Sequence, residues 1–210
     1  MDKKTDNHNP EAKLKLRRHF LEKYHADGTA TVFDCCQGGG VMWDAIRRTH
    51  PVASYWGVDI KPKKGRLKID SIRVLQQGVS QDVIDIDTYG SPWKHWMALL
   101  NRITKPVTVF LTIGNQGLTA MNPGSHGGSE FVVFPPSTPQ SLSGAIMRWR
   151  DVDYGLAKAA KYATITEAVE VSSTGNARYI GVRLEPKSDG SQLQAASRQQ
   201  TPVEKGLKHV

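Results

Sequence analysis

Short apolar runs alternate with amphipathic ones along most of the chain. Thr31-Val32-Phe33 is β-branched and aromatic, as a buried strand should be. Ser54–Val58, Arg66–Ile69, Val83–Asp87 and Val107–Thr112 read as four more strands, the last apolar on both faces as in a parallel sheet. Helical spacing fills the intervals. Glu11–Tyr24 carries Leu14, Phe20, Leu21 and Tyr24 on one face, and Val41–Thr49 stops before Pro51. Ser71–Gln77 and Trp93–Ile103 follow, the latter through Trp96, Leu99, Leu100 and Ile103. Helical spacing returns from Pro139 to Ala163, through Leu142, Ile146, Trp149, Val152, Leu156 and Ala160. Thr164–Ser172 and Arg178–Leu184 flank Thr174-Gly175-Asn176, a hairpin signal. The alternation predicts an α/β fold: a doubly wound, mostly parallel sheet of about seven strands, closed by a C-terminal antiparallel hairpin.

The pattern fades in three places. Residues 1–10 read as a flexible tail, 11–185 as a single domain, and the Ser-, Gln- and Lys-rich 186–210 as a disordered tail. Within the domain, Gly114–Pro139 holds five glycines and four prolines around Phe131-Val132-Val133-Phe134, the composition of a lid or substrate-binding insertion. His126 within it is a candidate pocket residue.

Composition narrows the class. No apolar run approaches the roughly 18–20 residues that span a bilayer, and the first 25 residues are charged, without a signal-type apolar stretch. The two cysteines, Cys35 and Cys36, are adjacent, which excludes a disulfide framework and fits a reducing, cytoplasmic setting. A net charge of +8 is compatible with a polyanionic partner, RNA or DNA. Lys61, Lys63, Lys64, Arg66 and Lys68 cluster on one loop and are the candidate contacts. The other basic set, Lys13, Lys15, Arg17, Arg18 and Lys23 on the first helix, reads as a solvated face.

Candidate chemistry centres on Thr31–Trp43, where a strand ends on Asp34, a loop carries Gly38, Gly39 and Gly40, and a helix begins. Glycines permit positive φ and close approach of a ligand to backbone. The triphosphate pattern GxxxxGK[ST] is absent. A dinucleotide site wants GxGxxG, but Trp43 stands at the third glycine, and Asp34 would repel a pyrophosphate. An acid at that position suits a cofactor with an ammonium group instead, and S-adenosylmethionine has one.

Asp34-Cys35-Cys36-Gln37-Gly38-Gly39-Gly40 resembles the DxCxGxG form of the first motif of class I S-adenosylmethionine-dependent methyltransferases. The resemblance spans roughly Val32 to Leu184 and implies the Rossmann-like methyltransferase fold and that cofactor. It implies cofactor contacts at Asp34, Cys35, Cys36, Gly38 and Gly40. Asp59, with Ile60, matches the acid that takes the ribose hydroxyls, and Asp70-Ser71 falls where the family places an acid near adenine.

Asp87-Thr88-Tyr89-Gly90-Ser91-Pro92 resembles the DP(F/Y)G(S/T) segment of tRNA guanine-N2 dimethyltransferases, with Thr88 in place of proline. The implied reaction is methyl transfer to an amino nitrogen of a nucleic-acid base. A base amine is a poor nucleophile because its lone pair is delocalised into the ring. A carboxylate accepting its N–H favours the pyramidal, nucleophilic form. Asp87 is then the acceptor-side acid, Tyr89 a stacking platform, and Ser91-Pro92 part of a rigid turn. Trp93 is a candidate for lining the acceptor pocket, and Trp96 reads as helix packing. No metal is implied. The competing readings are a methyltransferase of small molecules or proteins, and a non-catalytic nucleic-acid-binding protein on the same fold.

Overall fold

The computed structural model describes residues 9–63, 65–88, 91–114, 131–133, 151–171 and 177–187. Asn9 caps the first helix, α1 (Pro10–Tyr24), its side chain accepting from the Ala12 N–H, and Pro10 occupies the first turn, where its missing N–H costs nothing. β1 (Thr31–Asp34), α2 (Val41–Arg47) and β2 (Ser54–Gly57) follow, then α3 (Ser71–Gln77), β3 (Val83–Ile86), α4 (Trp93–Leu100) and β4 (Val107–Gly114). The last third contributes β5 (Phe131–Val133), α5 (Asp151–Ala159), β6 (Ala163–Val171) and β7 (Ala177–Pro186).

The strands form one seven-stranded sheet in the order β2-β1-β3-β4-β7-β6-β5. β1 pairs in parallel with both β2 and β3, and β3 with β4. β7 runs antiparallel between β4 and β6, so the hairpin closes the sheet from inside rather than at its edge. Successive strand side chains point to opposite faces. On one face Phe33, Ile84, Ile86 and Val109 meet α3, α4 and α5 through Leu75, Trp96 and Leu156. On the other, Val32, Val83, Phe110 and Tyr179 meet α1 and α2 through Leu16, Phe20, Trp43 and Ile46.

Three expectations change. Arg66–Ile69 forms no strand: only an isolated parallel bridge joins Asp59 to Lys68. Pro62 lacks a donor, Gly65 turns at φ 82°, and Leu67, with little to pack against, stays 53 % exposed. The seventh strand comes instead from Phe131–Val133, inside the segment expected as a lid, which pairs antiparallel with β6. Gly114 ends β4; residues 115–130, His126 included, and 134–139 lie outside the described residues, as do 140–150 and the turn at 174–176. Finally, the basic face of α1 is not all solvated: Lys13 is 5 % exposed and Arg17 1 %.

Candidate functional site

The chain reverses direction across the sheet at β1, with β2 on one side and β3 on the other. In open α/β sheets ligands bind at such a switch point, beyond the carboxyl ends of the strands. Asp34 closes β1, while Asp85 and Asp87 lie at the end of β3. The two-residue period puts all three carboxylates on the α1–α2 side, in line with Val32 and Val83. The inner stripe of α1 descends over them with Lys13 and Arg17 one turn apart, followed by Phe20.

The pairings are specific. The Arg17 guanidinium grips Asp85 with two bonds, Nε to Oδ2 at 2.7 Å and Nη2 to Oδ1 at 2.6 Å. The buried Trp43 indole N–H donates to the same Oδ2 at 2.7 Å. Trp43 therefore has a positive role where a dinucleotide site would want glycine. Lys13 Nζ bridges both oxygens of Asp87, at 2.8 and 2.6 Å, and lies 5.3 Å from the centre of the Tyr179 ring. Burial works against charge at Asp87, but Lys13 and Arg17, with bonds from Lys13 and Thr112, outweigh it and hold the carboxyl below its usual range.

Asp34 is the acid left over. It is 5 % exposed and accepts from the Tyr55 hydroxyl at 2.8 Å and the Cys36 N–H at 3.1 Å. Among the described residues it forms no ion pair. Burial, then the charge of Asp85, push its carboxyl up to about 8 despite those two bonds. Three carboxyls thus share two cations, and the deficit falls on the one at the head of the glycine loop.

Beyond Asp34 the loop turns through Gly38 at φ 52° and Gly40 at φ 74°, left-handed conformations that favour glycine. Asp59 stands across from it, accepting from the Gly38 N–H at 2.9 Å and from the Lys61 N–H at 2.7 Å. A carboxylate has lone pairs left for further O–H donors after those two bonds. Arg66 folds back from the basic loop and donates to the Gly39 carbonyl at 3.1 Å. Its guanidinium lies within 2.8 Å of where a Cβ on Gly40 would stand, and the left-handed φ of 74° at Gly40 is what disfavours a side chain there.

The remaining expected residues divide. Asp70 caps α3 through the Ile72 N–H, and Ser71 Oγ meets His95 Nε2 at 3.0 Å. The Cys35 side chain points to the opposite core and is 1 % exposed, so only its backbone, donating to the Asp85 carbonyl, serves the site. Burial raises both thiols, Cys36 less completely enclosed than Cys35. Ile60 is 62 % exposed and faces solvent. Ser91 is exposed and Pro92 is buried at the N-cap of α4; Tyr89 and Lys64 lie outside the described residues. Trp93 packs its ring against Gly155 of α5, where no Cβ would fit, and Trp96 donates to the Gly155 carbonyl. Lys61, Lys63, Arg66 and Lys68 are exposed, as a surface cluster should be.

Sequence reasoning missed Lys13, Arg17, Asp85 and Tyr55. One signal was available: Asp85 sits between Ile84 and Ile86 in a strand buried at every position, and a charge there requires a partner. Lys13 and Arg17, four residues apart, have the spacing to meet Asp85 and Asp87 from one helix face.

The sheet order and the closing hairpin are those of a Rossmann-like methyltransferase fold. No protein-family model matches the sequence, and no curated protein matches it. Solved structures do. Trm1 from Pyrococcus horikoshii, in complex with S-adenosyl-L-methionine, matches with a TM-score of 0.58 at 15% identity, over 86% of this chain and 56% of that one. A protein of Streptococcus thermophilus described as a hemolysin matches with a TM-score of 0.53 at 11% identity, over 85% of this chain and 67% of that one. The Escherichia coli protein yhhF, described as a methyltransferase, matches with a TM-score of 0.50 at 11% identity, over 89% and 90%. This chain therefore spans little more than half of Trm1. Among the described residues, no helix is long and apolar enough to cross a membrane, and no cluster of three or more His, Cys, Asp or Glu is arranged to hold a metal ion.

Proposed function

We propose that this protein transfers a methyl group from S-adenosylmethionine to an amino nitrogen of a nucleic-acid base. The carrying observation is the charge balance of the switch-point crevice: two of its three acids are paired, and the third, Asp34, has no cation among the described residues. The residues fit this cofactor. Asp34 meets the need of an ammonium group, the side-chain-free Gly38–Gly40 turn allows close approach, and Asp59 has lone pairs for ribose hydroxyls. When bound, the cofactor supplies an electrophilic methyl on a sulfonium, so positioning supplies much of the rate.

On the acceptor side, Asp87 is held ionised and oriented at the end of β3. It accepts an N–H of the base amine, favouring the nitrogen's nucleophilic form, and takes up the proton released as the N–C bond forms. Trm1 is similar over most of this chain and is described in complex with the same cofactor, which agrees with the Asp87–Pro92 resemblance. The net charge of +8 and the exposed Lys61–Lys68 loop suit a polyanionic acceptor.

The test is a labelled-methyl screen with purified protein against RNA, denatured DNA, protein and small-molecule extract, beside calorimetry with S-adenosylmethionine and NAD. We expect S-adenosylmethionine to bind and label to enter nucleic acid. Label in protein or small molecules alone would reassign the acceptor. Nucleic-acid binding without transfer to any fraction would make the chain a binding protein, and binding of NAD alone would overturn the cofactor.

A further inference from the structure

We infer that Lys13 on α1 is a positioning residue for methyl transfer, holding the Asp87 carboxylate in the orientation from which it receives the acceptor amine. The inference rests on the reading of Asp87 given above. It adds that the residue governing this carboxylate comes from a helix that precedes the sheet, 74 positions away in sequence.

The geometry is that of a held side chain. Lys13 is 5 % exposed, so its ammonium is no freely moving surface charge. It bonds both Asp87 oxygens at 2.8 and 2.6 Å, which holds the carboxylate pointed at the ammonium, and the same ammonium lies 5.3 Å from the centre of the Tyr179 ring. Each oxygen retains a lone pair for a substrate N–H. Every other element around the carboxylate contributes to its balance. Arg17 of α1 adds positive charge and Thr112 of β4 a hydrogen bond. Asp34 of β1, Cys36 of the loop, Asp85 of β3 and Tyr179 of β7 are acidic or neutral neighbours. Arg17 is already committed to Asp85, so Lys13 is the cation that Asp87 contacts directly.

The chemistry accommodates a carboxylate of low basicity. As the N–CH3 bond forms, the electrons of the breaking S–CH3 bond stay on sulfur, which leaves as a neutral thioether. The nitrogen then carries one proton too many. A protonated ring amine is a stronger acid than a carboxylic acid, so an ion-paired Asp87 still takes that proton and passes it to water. A stronger base is not needed; an ionised, correctly aimed acceptor is. Without Lys13, burial and the neighbouring Asp34 and Asp85 act on Asp87 with less opposition and raise its pKa.

The test uses the full chain, labelled S-adenosylmethionine, and bulk transfer RNA and denatured DNA as acceptors. For Lys13→Met we expect kcat to fall about tenfold or more at pH 7. The affinity for S-adenosylmethionine should stay within about twofold, and the acid limb of the rate profile should move upward so that activity partly recovers by pH 8.5. Lys13→Arg keeps the charge and should restore most of the rate with the acid limb in its original place. Unchanged or increased kcat in Lys13→Met, with an unmoved acid limb, overturns the inference. Should Lys13→Met not fold, Lys13→Arg decides: a kcat near that of wild type with the acid limb in place supports it, and a tenfold loss of kcat with the acid limb unmoved overturns it. Asp87→Asn separates the two levels. If Asp87→Asn is inactive while Lys13→Met is normal, only the role of Lys13 fails. If Asp87→Asn transfers methyl at the wild-type rate, the reading of Asp87 fails with it.

Discussion

Asp34 meets two uncharged donors and the field of two further acids, so its carboxyl keeps its proton up to about pH 8. Two consequences follow from the sign of that shift. Its folded pKa lies above the unfolded value, so the neutral form favours folding, and that advantage is lost as pH rises from about 4 to about 8. Asp34→Asn, permanently neutral, should melt higher than wild type at pH 8.5 by about 3 °C or more, with the gap narrowing toward pH 4, as calorimetric scans will show. The same variant should bind S-adenosylmethionine weakly, since the ammonium group needs the ionised acid. In the wild type, affinity should climb toward tenfold per unit between about pH 6 and 7, with a proton released on binding. It should level near pH 8, where an α-amino group begins to lose its own proton. Titration calorimetry in buffers of different ionisation enthalpy measures that proton directly.

α1 has two jobs on one face. Its Phe20 ring occupies the space that a Cβ on Gly181 would need and stands edge-on to Phe110, 5.7 Å between centres. Three residues along, Arg17 begins the charged half of the stripe. Packing and charge placement are therefore coupled through one rigid element. Phe20→Ala should cost about 3–5 kcal/mol in urea unfolding, from lost burial plus the cavity left on Gly181 and Phe110. Across the sheet, Asp82 ties the starts of three strands together. It accepts from Thr31 N–H at 2.9 Å, Thr31 Oγ1 at 2.7 Å and Lys105 Nζ at 2.5 Å. Burial opposes its charge, but Lys105 and the Thr31 bonds prevail and lower its carboxyl to about 2. Its contribution is present above the unfolded aspartate pKa and lost as pH falls through about 2. Asp82→Asn should therefore lose about 1–3 kcal/mol at pH 7, with the difference from wild type vanishing near pH 2.

The whole molecule carries +8, while its crevice gathers acids. Those charges act at different ranges. The crevice pairs are buried and weakly screened, whereas Lys61, Lys63, Arg66 and Lys68 stand in solvent and act over a Debye length. If the loop tracks a phosphate backbone, binding to nucleic acid will fall steeply with salt. Lys61→Ala with Lys68→Ala should then reduce the log–log salt slope by about 1.4–1.8 while leaving cofactor affinity unchanged. Filter binding across a salt series reads that slope. Arg66 belongs to the same loop yet touches the Gly39 carbonyl, so Arg66→Ala should disturb cofactor binding as well.

The order of elements, the glycine turn and the acids at strand ends were legible in the sequence because they are local. Val32-Phe33, Ile84 and Val109 announce strands by composition, and Gly38–Gly40 announces a turn by what it lacks. Two boundaries resisted. Arg66–Ile69 has strand-like residues, but Pro62 and Gly65 deny it a ladder; Phe131–Val133 looks like an island in a loop until β6 offers an edge. The site was half legible. Asp34, Asp59 and Asp87 lie at or just past the carboxyl ends of β1, β2 and β3, as acids closing apolar runs should, while Lys13 and Arg17 look like ordinary members of a solvated basic face. Nothing within the helix distinguishes Lys13 from Lys15. Only the docking of α1 over β1 and β3 does, by turning one stripe of a charged helix into the buried counterion of two carboxylates while leaving Asp34 without one among the described residues. The sequence by itself determined the elements and the acids, because strand periodicity and turn chemistry act between near neighbours. Tertiary structure decided which charges meet, because a buried ion pair is set by where two distant segments are packed together.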